Sequence, residues 1–134
     1  MARTFLLDTN VLLAATIAPE RLPAGVRDTL ADAANAVYFS AASLWEIAIK
    51  RSLRNRNFDF QPQDIHQLAL ATGFDELPVR GEHTFAVASL PWHHRDPFDR
   101  LLVAQAMALP AYLLSSDAAL PVYSPLVMPV SLKS

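Results

Sequence analysis

Four acidic residues each sit inside an apolar stretch: Asp8 in FLLDTNVLL, Glu46 in SLWEIAIK, Asp99 in DPFDRLLVAQA and Asp117 in YLLSSDAAL. Ionised carboxylates stay in water unless they are paired or bound to a metal. If folding gathers the four, their oxygens form a cage for a hard divalent cation. Two such groups about 6 Å apart repel by about 3 kcal/mol at an effective dielectric of 20, so without an ion some would take up protons. Mg²⁺ or Mn²⁺ removes that repulsion, because hard cations prefer carboxylate and water oxygens. Zinc fits less well. The chain has no cysteine and no histidine pair at i,i+4, and the adjacent His93 and His94 point apart on any regular element.

Each acid also has a plainer reading. Asp8 ends an apolar run and precedes a helical one, which suits a helix N-cap as well as a ligand at the carboxyl end of a parallel strand. Asn10 could support the same turn or hold a water on the metal. Glu46 lies mid-helix among Leu44, Trp45, Ile47, Ala48 and Ile49, which predicts partial burial. A Glu46–Lys50 pair at i,i+4 would contribute only a few tenths of a kcal/mol, a weak reason to place a carboxylate there. Asp96 and Asp99 flank Pro97-Phe98: Asp96 suits the N-cap, Pro97 the first turn, and Asp99 the positive end of the helix dipole. The following helix is apolar nearly all round, so Asp99 heads a buried element. Asp117, after Ser115-Ser116, repeats the Asp8 arrangement at the end of another apolar strand.

The elements that must position these residues alternate between short apolar runs and helical stretches, the pattern of parallel strands with crossover helices. Strands are predicted at Thr4–Leu7, Ala36–Phe39, Glu76–Val79, Ala111–Leu114 and Val127–Leu132. Helices are predicted at Val11–Ile17, Pro23–Asn35, from a Ser40 cap to about Arg54, Pro62–Thr72, Gly81–Leu90 and Pro97 to about Leu109. Asn55–Phe60 and the WHHRD segment read as loops, and Ala118–Tyr123 as a short turn or helix. No repeat, linker or glycine-rich phosphate loop is present.

Composition bounds the class. The chain has 134 residues, 52% apolar and 18% charged, with a net charge of −2. That predicts one globular α/β domain over 1–134, a three-layer α/β/α sandwich on a mostly parallel sheet of about five strands. Arg3 and the apolar stretch to Ala18 faintly resemble an export signal, but Asp8-Thr9-Asn10 interrupts it. No run reaches the ~18 uncharged residues of a membrane span. With no cysteine to oxidise, a soluble cytoplasmic protein is expected. The charge balance does not suggest bulk nucleic-acid binding. Two local cationic groups could still face phosphate: Lys50, Arg51, Arg54 and Arg56, and His93, His94, Arg95 and Arg100. The first also suits a helix C-terminus.

Taken together, Asp8-Thr9-Asn10 after a strand, Glu46 in a helix, the DPFDRLLVAQA segment and Asp117 behind Ser115 resemble the PIN-domain nucleases, most closely the VapC-type ribonuclease toxins of toxin–antitoxin pairs. The likeness spans about Thr4 to Leu132. It implies that the family's first acid falls on Asp8, its second on Glu46, its third on Asp99 and its fourth on Asp117. Asp96 is an additional acid, and Ser115 stands at the family's Ser/Thr position. It further implies hydrolysis of RNA with Mg²⁺ or Mn²⁺, and an antitoxin whose C-terminal segment crosses the acidic groove. Lys50, Arg51 and Arg100 would then neutralise phosphate. Trp92 and His93 would be available to stack bases, although simple packing also explains Trp92. The apolar richness suits a homodimer.

Two other classes share parts of the pattern. A phosphoryl-transfer domain with an aspartyl nucleophile also places an acid after its first strand. It needs a second adjacent acid or a lysine near the last strands, whereas position 10 is Asn and the only lysines are Lys50 and Lys133. A non-catalytic interaction domain of the same fold would not need all four acids.

Overall fold

The structure, a computed structural model, describes residues 2–53 and 59–134. Arg54, Arg56 and most of the loop predicted over Asn55–Phe60 lie outside the described residues.

β1 (Thr4–Leu7) takes its place from burial on both faces. Phe5, Leu6 and Leu7 are all within 1% of complete burial. At about 2 kcal/mol for each large apolar side chain, that outweighs any local conformational preference, and continuous apolar runs are how central parallel strands read. β1 pairs in parallel with β2 (Ala36–Ser40) on one side and β4 (Tyr112–Ser115) on the other. β3 (Asp75–Leu77) and β5 (Val127–Pro129) complete an all-parallel sheet of order β3-β2-β1-β4-β5.

Successive side chains of a strand face opposite ways, and the core divides accordingly. Phe5, Leu7, Val37, Phe39 and Leu114 pack with α1 (Thr9–Ile17), α3 (Ala41–Ser52) and α4 (Pro62–Thr72), with Val26 and Leu30 of α2 (Ala24–Ala31) at the margin. Leu6, Leu113 and Val127 face the other way, onto Leu102, Val103 and Ala106 of α6 (Pro97–Ala108). α5 (Gly81–Ala88) packs on α6. The result is the expected three-layer α/β/α sandwich.

Several boundaries differ from the sequence reading, each for a local reason. α2 stops at Ala31 rather than Asn35, because Asp32 Oδ1 takes the Ala34 N–H and Asn35 Nδ2 donates to Thr29 O; such side chains compete with helical bonding. β3 ends at Leu77, where Pro78 cannot donate to a ladder. α5 ends at Ala88, with the Ser89 and Leu90 N–H groups tightening onto Ala86 and Val87 carbonyls before Pro91. β5 is only Val127–Pro129.

From β1 the chain builds outward to β2 and β3, then returns to place β4 on the opposite side of β1. At such a switch point the connections leave a crevice beyond the carboxyl ends of the two central strands. Asp8 follows β1 directly, and Asp117 follows β4 by two residues.

Candidate metal centre

Asp8 caps α1 at the carboxyl end of β1. Its Oδ1 accepts the Val11 N–H at 2.8 Å, capping α1, while Oδ2 accepts the Ser115 hydroxyl at 2.8 Å and the Ser116 N–H at 2.9 Å. Burial pushes its carboxyl above the ordinary range despite those donors, and the charge of Glu46 adds to the rise. Ser115 in turn accepts the Asp117 N–H at 3.0 Å, so one buried hydroxyl ties the ends of β1 and β4 together. Asn10 lies alongside, with Nδ2 3.4 Å from Ser116 Oγ.

Ser40 caps α3 through the Ala42 N–H, as expected, and orients the helix so that Glu46 points inward at 8% exposure. Trp45 points outward instead, 61% exposed, with its ring edge against Phe98. Glu46 Oε1 accepts from Thr9 Oγ1 at 2.7 Å, and Ser43 Oγ lies 3.0 Å behind that hydroxyl. Oε2 pairs with Lys50 Nζ at 2.8 Å. The i,i+4 pair therefore exists. It is worth too little to account for the burial.

Asp96 and Asp99 separate clearly. Asp96 Oδ1 accepts the N–H groups of Phe98 and Asp99, as an N-cap does. Asp99 faces the crevice. Burial, then the charges of Asp96, Asp8 and Asp117, push its carboxyl up to about 7, with His94 opposing the rise. Asp117 is held below the usual carboxylate range by the Ala119 N–H, with further help from His94 and from a hydrogen bond with Asp99.

His94 was not among the residues expected at the site. Its Nε2 stands 2.7 Å from Asp117 Oδ2 and 3.7 Å from Asp99 Oδ2. Ligand atoms of His94, Asp99 and Asp117 all lie within 4.8 Å of one another. The expectation that His93 and His94 point apart applies to a regular element; here the segment is irregular, and His93 turns to the Tyr123 ring while His94 reaches Asp117. What sequence reasoning lacked was the path of the irregular loop, which aims one of the two into the acids.

Arg100 is corrected. It is 3% exposed, and its guanidinium donates to the carbonyls of Val87, Leu90 and Pro91 and to Tyr123 Oη. It lies under the Trp92 ring, 4.0 Å from the centroid. Arg100 is an internal strut and offers no contact to phosphate. Trp92 itself is 80% exposed. Lys50 and Arg51 lie in the last turn of α3, where Arg51 pairs with Asp59.

The donor set fits a hard divalent ion. Asp8 is held above the normal carboxyl range by burial and the charge of Glu46, and Asp99 by burial and the charges of Asp96, Asp8 and Asp117, which is the electrostatic deficit that a cation with oxygen ligands relieves.

An all-parallel α/β fold with acidic side chains around its switch point narrows the class, and likeness to known proteins makes it specific. The PIN domain family model matches residues 5–124, so the chain belongs to the PIN domain family. Among solved structures it is similar to the VapBC2 complex of Rickettsia felis bound to a DNA fragment from its promoter: TM-score 0.68, 17% identity, covering 97% of this chain and 99% of that one. Among curated proteins none matches by sequence.

Proposed function

We propose that this chain is a metal-dependent endoribonuclease, the VapC-type toxin of a toxin–antitoxin pair, acting as one PIN unit over 1–134 in the cytoplasm. The observation that carries the reading is the gathering of Asp99 and Asp117 with His94, their ligand atoms within 4.8 Å of one another, with Asp8 near enough for its charge to add to the rise that burial and Asp96 impose on Asp99. Membership of the PIN family, the motif resemblance and the likeness to a VapBC2 complex support it. Among the described residues, no helix is long and apolar enough to cross a membrane.

In this reading Asp8, Glu46, Asp99 and Asp117 hold Mg²⁺ or Mn²⁺, with Asp96 as cap and supporting charge. The bound ion supplies Lewis acidity and lowers the pKa of water. The chain's own groups do the rest. Ser115 and the Ser116 N–H fix Asp8, and Thr9 fixes Glu46. Asp99, raised in the metal-free chain, would hold the ion as its carboxylate. Lys50 and Arg51, at the rim, meet substrate phosphates, and the open face of Trp92 stacks a base of single-stranded RNA.

Restraint comes from an antitoxin segment laid across the acidic crevice. A second copy of the chain covers the apolar groove of about 400 Å³ between Trp45, Ile49, Val87, Phe98 and Leu101. The test is cleavage of total RNA by the wild type and by Asp8→Asn, with Mn²⁺ or with EDTA. Cleavage confined to the wild type with Mn²⁺ supports the assignment. Equal cleavage by both proteins, or none by either, defeats it. Lack of cleavage with a fully formed acidic cluster would favour a non-catalytic PIN-fold interaction domain.

A further inference from the structure

A groove of about 430 Å³ opens beside the acids, and none of Lys50, Arg51 and Trp92 lines it. Its near end is Ser116, whose N–H holds Asp8, with Asn10 Nδ2 3.4 Å from the Ser116 hydroxyl. Asn10, Leu13 and Ile17 share one face of α1, being three and four residues apart. From Asn10 to Ile17 the helix advances about 10 Å, at about 1.5 Å per residue. Leu132 adds to the apolar lining, and Arg21, beyond the end of α1, closes the far end.

Arg21 is held there in a particular way. Its Nε donates to Lys133 O at 2.8 Å, and its own carbonyl accepts the Lys133 N–H at 2.8 Å. These reciprocal bonds fasten the end of the chain to the groove and restrict the guanidinium. They use Nε alone. Among the described residues, neither the Nη groups of Arg21 nor the Lys133 ammonium has a hydrogen-bond or acidic partner, and both residues are exposed. A guanidinium aimed by one bond, with its fork of Nη donors open, is suited to grip a phosphate bidentately.

We propose that this groove is a substrate subsite: single-stranded RNA leaving the acidic crevice follows the Asn10–Leu13–Ile17 face of α1, and a phosphate further along the strand meets Arg21 and Lys133. The inference deepens the nuclease reading and rests on it for the identity of the strand. Charge selects the occupant. A polyanion is accepted at the acidic end through a metal ion and at the far end by two cations directly. A cationic protein tail, which the acids would attract, meets repulsion at Arg21 and Lys133. Between the two ends, Leu13, Ile17 and Leu132 offer apolar surface to sugars and base faces, without base-edge selection.

The test is the affinity of the full chain for a labelled oligouridylate, measured by fluorescence anisotropy in EDTA over a range of salt. Arg21→Gln and Lys133→Gln should each weaken binding about 3- to 10-fold at low salt. Each should also flatten the slope of log affinity against log salt by about 0.7, the share of one phosphate contact on a single strand. Arg27→Gln, an exposed cation on α2 outside the groove, should change neither quantity. Lys133→Gln leaves the backbone bonds to Arg21 in place, so it carries the test if Arg21→Gln fails to fold. With Mn²⁺, Lys133→Gln should raise KM and leave kcat unchanged. Unchanged affinity and slope in the folded variants overturns the proposal and leaves the groove to a protein segment. Weaker binding with an unchanged slope marks a structural role and overturns it too. A wild type that binds the oligouridylate but cleaves no RNA strikes the nuclease reading instead, while the variants still decide whether the groove holds the strand.

Discussion

The Ser115 hydroxyl donates to Asp8 Oδ2 at 2.8 Å and joins residues 107 apart in sequence. Ser115 is fully buried at the end of β4, and its oxygen also accepts the Asp117 N–H. Ser115→Ala removes both bonds and leaves a buried carboxylate short of a donor, at about 1–3 kcal/mol. We expect a lower Tm and weaker Mn²⁺ binding. Ser115→Thr restores the hydroxyl and should recover most of the affinity. Equal loss in both variants would show that volume, and not the hydroxyl, matters.

Asp99 gives the site a pH dependence whose sign is fixed. Its folded value of about 7 lies above the ordinary carboxylate value. Between the two, the folded protein binds more protons than the unfolded one, so metal-free stability falls as pH rises from about 4 to about 7. Asp8, also raised, acts in the same direction. Asp117, lowered, contributes stability at neutral pH that is lost only in acid. Urea melts in EDTA at pH 5 and pH 8 should show the decline in the wild type and a smaller one in Asp99→Asn. Mn²⁺ binding near pH 6 should release a proton, seen as a buffer-dependent enthalpy in calorimetry, and Asp99→Asn should not release it. A flat profile in the wild type would contradict the raised value.

Arg100 should prove structural. Arg100→Met deletes donors to three carbonyls and to Tyr123 Oη. Bonds from a charged donor are worth about 1.5–3 kcal/mol each, partly offset by removing a buried charge. A net loss of about 3 kcal/mol would lower Tm by about 10 °C. Single-stranded RNA should bind the folded variant as tightly as it binds the wild type. A large loss of RNA affinity with unchanged Tm would return Arg100 to the phosphate contacts.

The outward face of α3 should govern association. Trp45, 61% exposed, lies edge-on to Phe98 beside the apolar groove. Light scattering should show a dimer for the wild type and a monomer for Trp45→Glu with unchanged circular dichroism. A monomeric wild type would end the homodimer proposal.

The strands were legible because burial on both faces writes them as unbroken apolar runs, as in Thr4–Leu7 and Tyr112–Leu114. Asp8 and Asp117 followed from their places at strand ends. Glu46 was legible as an acid on an apolar helix, though Trp45 beside it turned outward. Helix ends were misjudged where Asp32 and Asn35 bond backbone groups that the periodicity assigns to α2. His94 and Arg100 were out of reach for one reason: their roles depend on the 91–96 loop, whose path comes from bonds to Tyr123, a residue 29 positions beyond His94. Periodicity carries no information about such a contact, and a cation next to Asp99 in sequence reads as exposed.

The most direct test is calorimetric titration of Mn²⁺ into the metal-free chain and its single-acid variants. The wild type should bind, and Asp8→Asn, Glu46→Gln, Asp99→Asn and Asp117→Asn should each weaken binding by at least about 10-fold. Asp96→Asn, which retains a capping side chain, should stay within about 3-fold. Undiminished binding in Asp8→Asn and Asp117→Asn, or no binding by the wild type, would mean that these carboxylates do not share an ion.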